Sequence, residues 1–199
     1  MRSQGTSCYS QSQTLHVKMN PLQAMPKETD NSRYSIRQGL IQMSTIYLAS
    51  PLGFSPENGH YLEKIKARLT SQGLAVFDPW EQTQSAPDIA QAFTIERYPE
   101  RVSAFRRISS EIGKRNEEGI RNADMLFAVL DGAEIDSGTA SEVGFASALG
   151  KRCYGLRTDM RDSGDFLGVP VNLQVLHFIE RTGGKLFRCI DDVNLGVFA

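Results

Sequence analysis

The chain of 199 residues has little of several things that would place it at once. Its three cysteines, Cys8, Cys153 and Cys189, are scattered with no CxxC or other metal spacing. Neither a disulfide framework nor a structural zinc site is expected, and sparse thiols suit a reducing cytoplasm. The histidines His16, His60 and His177 are widely dispersed, which counts against a metal centre, so no cofactor or metal is expected. No run nears the ~18 consecutive apolar residues of a membrane span, and the N-terminus lacks a signal peptide's basic-then-apolar pattern. An excess of one charge is missing too. The 22 basic and 23 acidic side chains leave a net charge of −1, which argues against a nucleic-acid polymer as partner.

That balance averages two unlike parts. Residues 1–44 carry five basic and two acidic side chains, for +3, and residues 45–199 carry the remaining −4. The first part is rich in Ser, Gln, Asn and Thr and sustains no apolar period. It buries too little to offset its ordering entropy, so 1–44 is expected to be a flexible extension. A short apolar stripe of Ile36, Leu40 and Met43 is its one helical possibility.

From Thr45 the pattern becomes regular. "TIYLAS" is an apolar β-rich run, and a helical stripe of Tyr61, Leu62, Ile65 and Leu69 follows, with Gly73 as the stop. "LAVFDP" is a second strand, and residues 80–98 read as a polar loop. A helix fits 100–122. "DMLFAVLDG" is the most apolar strand and belongs at the centre of a parallel sheet. "SGTASEVGFASALG" gives another helix, "RCYGLRTD" a fourth strand and "LHFIE" a possible fifth. Strands separated by helices predict an α/β fold: a three-layer αβα sandwich around a flavodoxin-like, Rossmann-like open parallel sheet. Ligands in such folds bind beyond the carboxyl ends of the strands.

Those ends are rich in small and acidic residues. Ala49, Ser50, Pro51, Leu52, Gly53 and Phe54 follow the first strand. They are neither a GxGxxG fingerprint nor a P-loop, and from these residues alone a simple turn accounts for them better than a ligand loop does. Asp131, Glu134 and Asp136 follow the central strand, before Ser137-Gly138-Thr139 and then Glu142. Such a cluster serves metal ligation, helix capping or carboxylate catalysis, and the absence of a nearby His disfavours the first. Glu142 stands out in the early turns of a helix that is otherwise small and apolar. A surface Glu complementing the helix dipole is the plain alternative. Gly144 and Ala146 leave room beside it for a ligand.

"IYLASPLGFSPENGHY", "FDP", "NEEGIRNADMLFAVLDG", "DSGTASEVGFASALGK" and "GVPVNL" together resemble the nucleoside 2-deoxyribosyltransferase family, in its order and over roughly residues 45–180. The resemblance implies that Glu142 is the nucleophile and Tyr47 the aromatic residue that orients it. It implies that Asp136 contacts the bound nucleoside. Ser50–Phe54, Asp78, Asp131, Ser137 and Gly138 then fall where the family surrounds its substrate. Asn172 looks like the residue that a neighbouring subunit lends to the sugar hydroxyl, so a homo-oligomer is implied. One position departs from the pattern. Where the family often has an Asp at the nucleobase, this chain has Asn116, which hydrogen-bonds but cannot donate a proton as an acid.

The implied chemistry is base exchange between deoxynucleosides and free nucleobases through a covalent Glu142 intermediate. Nucleoside or nucleotide hydrolysis on the same scaffold is the alternative. A nucleotide-derivative-binding module that has lost turnover is a third reading. The charged run Arg157–Asp165 reads equally as a lid, a subunit contact or a solvated loop, and His177 as a packed strand-end residue.

Overall fold

The structure, a computed structural model, describes residues 43–196. Apart from Met43 and Ser44, the expected N-terminal extension, with its Ile36–Leu40 stripe, lies outside the described residues.

Five strands form one sheet: β1 (Thr45–Ala49), β2 (Ala75–Phe77), β3 (Met125–Val129), β4 (Arg152–Leu156) and β5 (Leu186–Phe187). The order is β2-β1-β3-β4-β5, every pair is parallel, and this is the flavodoxin-like arrangement that the strand spacing predicts. Among the described residues the α-helices are α1 (Gly59–Thr70), α2 (Ala86–Phe93), α3 (Tyr98–Asn122), α4 (Ser137–Ala148) and α5 (Leu173–Arg181), with α2 packed on α3 and the others on the sheet.

The strands sort their side chains by alternation, because successive residues point to opposite faces. Ile46, Leu48, Phe127 and Val129 join Leu62, Ile65 and Leu69 of α1 in one core layer. Tyr47, Ala49, Leu126 and Ala128 join Ile120 of α3, Val143 and Ala146 of α4, and Val175 and Ile179 of α5 in the other. The sheet therefore has helices on both faces, and each large aliphatic side chain sealed there contributes ~1.5–3 kcal/mol. Among the described residues, no helix is long and apolar enough to cross a membrane.

Two segments differ from their sequence reading. "LHFIE" is not a strand but part of α5, where Val175 and Ile179 are buried four residues apart. Asn172 Oδ1 accepts from the Gln174 and Val175 amides, and that cap commits the backbone to a helix. The fifth strand is the two-residue β5 instead, and His177 is an exposed helix residue. The polar stretch 80–98 holds α2, which Pro87 near its start and Asp88 in its first turn favour. Cys153 is buried on β4, and burial pushes its thiol up to about 11.

Candidate active site

β1 and β3 lie side by side at the centre of the sheet, and β2 lies on the far side of β1. The crevice at their carboxyl ends is the topological switch point of the fold. Tyr47, one step off the Ile46–Leu48 face, points toward α3 and α4 and is completely buried. Its phenol donates a 2.6 Å hydrogen bond to Glu142 Oε1 on α4. Burial pushes the Glu142 carboxyl up, the Tyr47 hydrogen bond pulls it down, and the charge of Asp136 pushes it up again. The Tyr47 phenol is itself pushed far up, by burial first and then by Glu142, so it remains a donor.

Helix α4 begins where it does because Asp136 caps it: Oδ2 accepts from the Thr139 amide at 2.8 Å and the Thr139 hydroxyl at 3.2 Å. Glu142 follows in the second turn and faces a cavity of about 300 Å³. Ser50, Phe54 and Trp80 form one wall of that cavity, Ile112 and Asn116 of α3 another, and Asp136, Gly138 and Thr139 the third. A second cavity of about 370 Å³ runs between α3 and α4 and shares Asn116, Gly138 and Glu142 with the first.

The aromatic wall depends on a glycine. A Cβ on Gly53 would lie 2.1 Å from the Trp80 ring, so only hydrogen lets the indole lie flat on the loop after β1. Trp80 Nε1 donates to the Ser50 carbonyl at 2.8 Å, and its amide donates to Asp78 Oδ1 at 3.0 Å. Phe54, 76% exposed, meets Trp80 edge-on with centroids 4.6 Å apart.

The structure thus gathers Glu142, Tyr47, Asp136, Ser50, Phe54, Asn116 and Gly138 around one crevice. Ser137 is exposed beside it, while Ala49 and Pro51 belong to the backing of the first wall rather than to its lining. Asp78 is buried under Trp80. Its Oδ2 has no hydrogen-bond partner and lies 3.7 Å from the Lys66 ammonium, and burial pushes its carboxyl up.

Two residues are placed elsewhere. Asp131 Oδ1 accepts from the Thr158 and Asp159 amides, and Oδ2 from the Thr158 and Tyr61 hydroxyls. That carboxylate ties the loop after β3 to the loop after β4 and does not line the crevice. Asn172 lies at a separate cavity of about 390 Å³ with Glu134 and Asp165.

Sequence reasoning missed Ile112 and Thr139 as cavity residues; Ile112 is one helical turn from Asn116, which was the available signal. It also missed Arg157. That guanidinium is 0% exposed and donates to the carbonyls of Leu130, Gly132 and Arg161, bracing the same two loops that Asp131 joins. Among the described residues, no three His, Cys, Asp or Glu side chains gather as a metal-binding group.

Comparison with known proteins bears on this crevice. A conserved protein of Enterococcus faecalis V583 superposes with a TM-score of 0.54 at 23% identity, over 76% of this chain and 94% of that one. A 2-deoxyribosyltransferase of Bacillus psychrosaccharolyticus superposes with a TM-score of 0.50 at 22% identity, over 77% and 94%. A CMP N-glycosidase of Clostridium botulinum is more distant, with a TM-score of 0.43 at 14% identity over 75% and 94%. The first two likenesses establish the shared fold. No curated protein matches the sequence. The family model of the nucleoside 2-deoxyribosyltransferases matches residues 46–174, which take in the whole crevice. The chain belongs to the nucleoside 2-deoxyribosyltransferase family.

Proposed function

We propose that this protein exchanges the base of 2′-deoxynucleosides, with retention at C1′, through a covalent deoxyribosyl ester on Glu142. The observation that carries the reading is the 2.6 Å hydrogen bond from a buried tyrosine to a carboxylate that faces a nucleoside-sized cavity. A Glu142 oxygen attacks C1′ as the C1′–N bond breaks, and its negative charge offsets the positive charge developing on the sugar. The bond's electron pair leaves with the base, which takes up a proton. A nitrogen of the incoming base then attacks C1′ from the vacated side and gives up its proton, which balances the one taken by the departing base, while the ester bond breaks and the carboxylate returns.

Tyr47 holds the attacking oxygen in line and keeps the carboxyl ionised against its burial. Asn116 hydrogen-bonds the base without protonating it. With Asp131 engaged elsewhere, the proton comes from water or through Asp136, whose Oδ1 has no hydrogen-bond partner among the described residues. Trp80 and Phe54 supply an aromatic wall for the base.

The substrates are nucleosides rather than 5′-nucleotides. No Arg or Lys lines either cavity among the described residues, and the Asp136 carboxylate occupies the start of α4, where a phosphate would bind. This reading belongs to nucleoside salvage in the cytoplasm, without a cofactor. Asn172, being outside this crevice, serves a sugar only from a neighbouring subunit, so an active monomer in sedimentation refutes that part.

Hydrolysis is the second reading. The cavity between α3 and α4 also reaches Glu142 and gives water an approach. Incubation with 2′-deoxyinosine, with and without adenine, separates the two. New deoxyadenosine supports exchange, and hypoxanthine released without adenine supports hydrolysis. No turnover across a panel of deoxynucleosides refutes both and leaves a binding module.

A further inference from the structure

Phe77 is the in-register partner of Tyr47 across the β1–β2 pairing. Neighbouring residues of a parallel pair point to the same face, so both rings face α3 and α4. They stack with centroids 5.5 Å apart and planes inclined by 17°. Phe77 also meets α3 at Gly119, where a Cβ would lie 2.6 and 2.8 Å from the ring carbons Cε1 and Cζ. Gly119 is buried inside a 25-residue helix and has no positive φ. Helix geometry therefore gives no reason for the weakest helix former short of proline at this position. The ring does. Phe77 is in close contact both with a helix backbone and with the ring whose phenol reaches Glu142.

We propose that Phe77, seated on Gly119, is a positioning residue that fixes the direction of the Tyr47 phenol toward Glu142. It touches no substrate. The inference rests on the reading of Glu142 and Tyr47 given above. The Tyr47 hydroxyl lies at the far end of a ring that pivots at Cβ, so a small tilt becomes a larger displacement at the oxygen. The neighbouring Phe77 ring limits that tilt on one side. Ile112 and Asn116 stand seven and three residues before Gly119, on the same helical stripe, and both line the cavity. The close approach at Gly119 therefore also sets how deep α3 lies beside the substrate.

The test is a set of variants: Gly119→Ala, Phe77→Leu and the two together, each with Tyr47 present or replaced by Phe. Gly119→Ala forces Phe77 onto Tyr47 and is expected to lower kcat about tenfold or more, with KM within about twofold. The double variant, which returns the space, is expected to recover to within about threefold of the parent kcat. With Tyr47→Phe, Gly119→Ala is expected to change kcat by less than about twofold, because the hydroxyl it acts through is gone.

A second readout needs no substrate. In protein carrying ¹³Cζ-tyrosine, the signal lost on Tyr47→Phe is expected to shift in Gly119→Ala and to return in the double variant. If Gly119→Ala fails to give a cooperative melt, Phe77→Leu alone carries both readouts. An unmoved Tyr47 signal overturns the proposal, as does an equal loss of kcat with Tyr47 replaced by Phe. A change in KM alone does so too, because it means that α3 moved Asn116 instead. A parent enzyme with no turnover refutes the proposed function and leaves this inference to the NMR signal.

Discussion

Tyr47→Phe removes one oxygen and leaves the rest of the ring, including its stack on Phe77, in place. What disappears is a 2.6 Å hydrogen bond to an ionised carboxylate, which is short and charge-assisted. Such bonds contribute about 1.5–3 kcal/mol, and at 1.36 kcal/mol per tenfold the expected loss in kcat is about 10- to 150-fold. The pH dependence follows with a definite sign. Burial and Asp136 push the Glu142 carboxyl up, and the phenol pulls it down. Without the hydroxyl, Glu142 holds its proton to higher pH, and a protonated carboxyl is no nucleophile. The acid limb of kcat therefore moves toward higher pH in the variant, and part of the lost activity returns on raising the pH. Steady-state transfer from 2′-deoxyinosine to adenine, followed across pH 4–9, measures both effects. A kcat within about twofold of the parent, with the acid limb unmoved, would refute the argument that Tyr47 governs the nucleophile.

Glu142→Gln is expected to abolish exchange and at the same time to stabilise the protein at neutral pH. A carboxyl whose folded pKa is raised adds stability below its unfolded pKa and loses it as pH rises through the folded one, and Gln carries no charge to bury. Thermal melts should show the variant with the higher Tm at neutral pH, at ~2–4 °C per kcal/mol recovered, and no advantage in acid. Arg157→Met leaves the carbonyls of Leu130, Gly132 and Arg161 without their buried donor, at ~1–3 kcal/mol for each unsatisfied group. Urea denaturation should show a loss of about 3 kcal/mol or more, and an unchanged midpoint would refute the bracing role.

The sequence showed the sheet best where periodicity and burial coincide. Ile46-Tyr47-Leu48-Ala49 and Leu126-Phe127-Ala128-Val129 alternate between two layers, and long apolar runs of that kind suit central parallel strands. "LHFIE" misleads because a short run with only Leu176, Phe178 and Ile179 as its apolar residues fits either period. The cap at Asn172 that decides it lies outside the run. β5, with two residues, is too short to carry a period at all.

The crevice was legible where chemistry travels with residue type, as at Glu142 and Asp136, while Asn116 was reached only through the family resemblance. It was illegible where the partner is main chain. Arg157 looks like a solvated charge because its acceptors are carbonyls, which every residue has. Asp131 looks like a site acid for the same reason: two of its donors are amides. The roles of Phe77 and Gly119 depend on contacts between β2 and α3 that are more than 40 positions apart in the chain.

The alternation of β1 has a consequence for how the site tolerates change. Tyr47 reaches Glu142 because it stands an odd number of steps from Ile46 and Leu48, whose side chains serve the opposite layer. The direction of the phenol is thus a matter of parity. Insertion or deletion of a single residue within β1 would turn the tyrosine toward α1 and bring an aliphatic side chain under the carboxylate. Two-residue changes would preserve the parity and displace the hydroxyl along the strand instead. Length variation around this crevice is therefore confined to the loops, and the five residues of β1 act as a ruler from which the site takes its orientation.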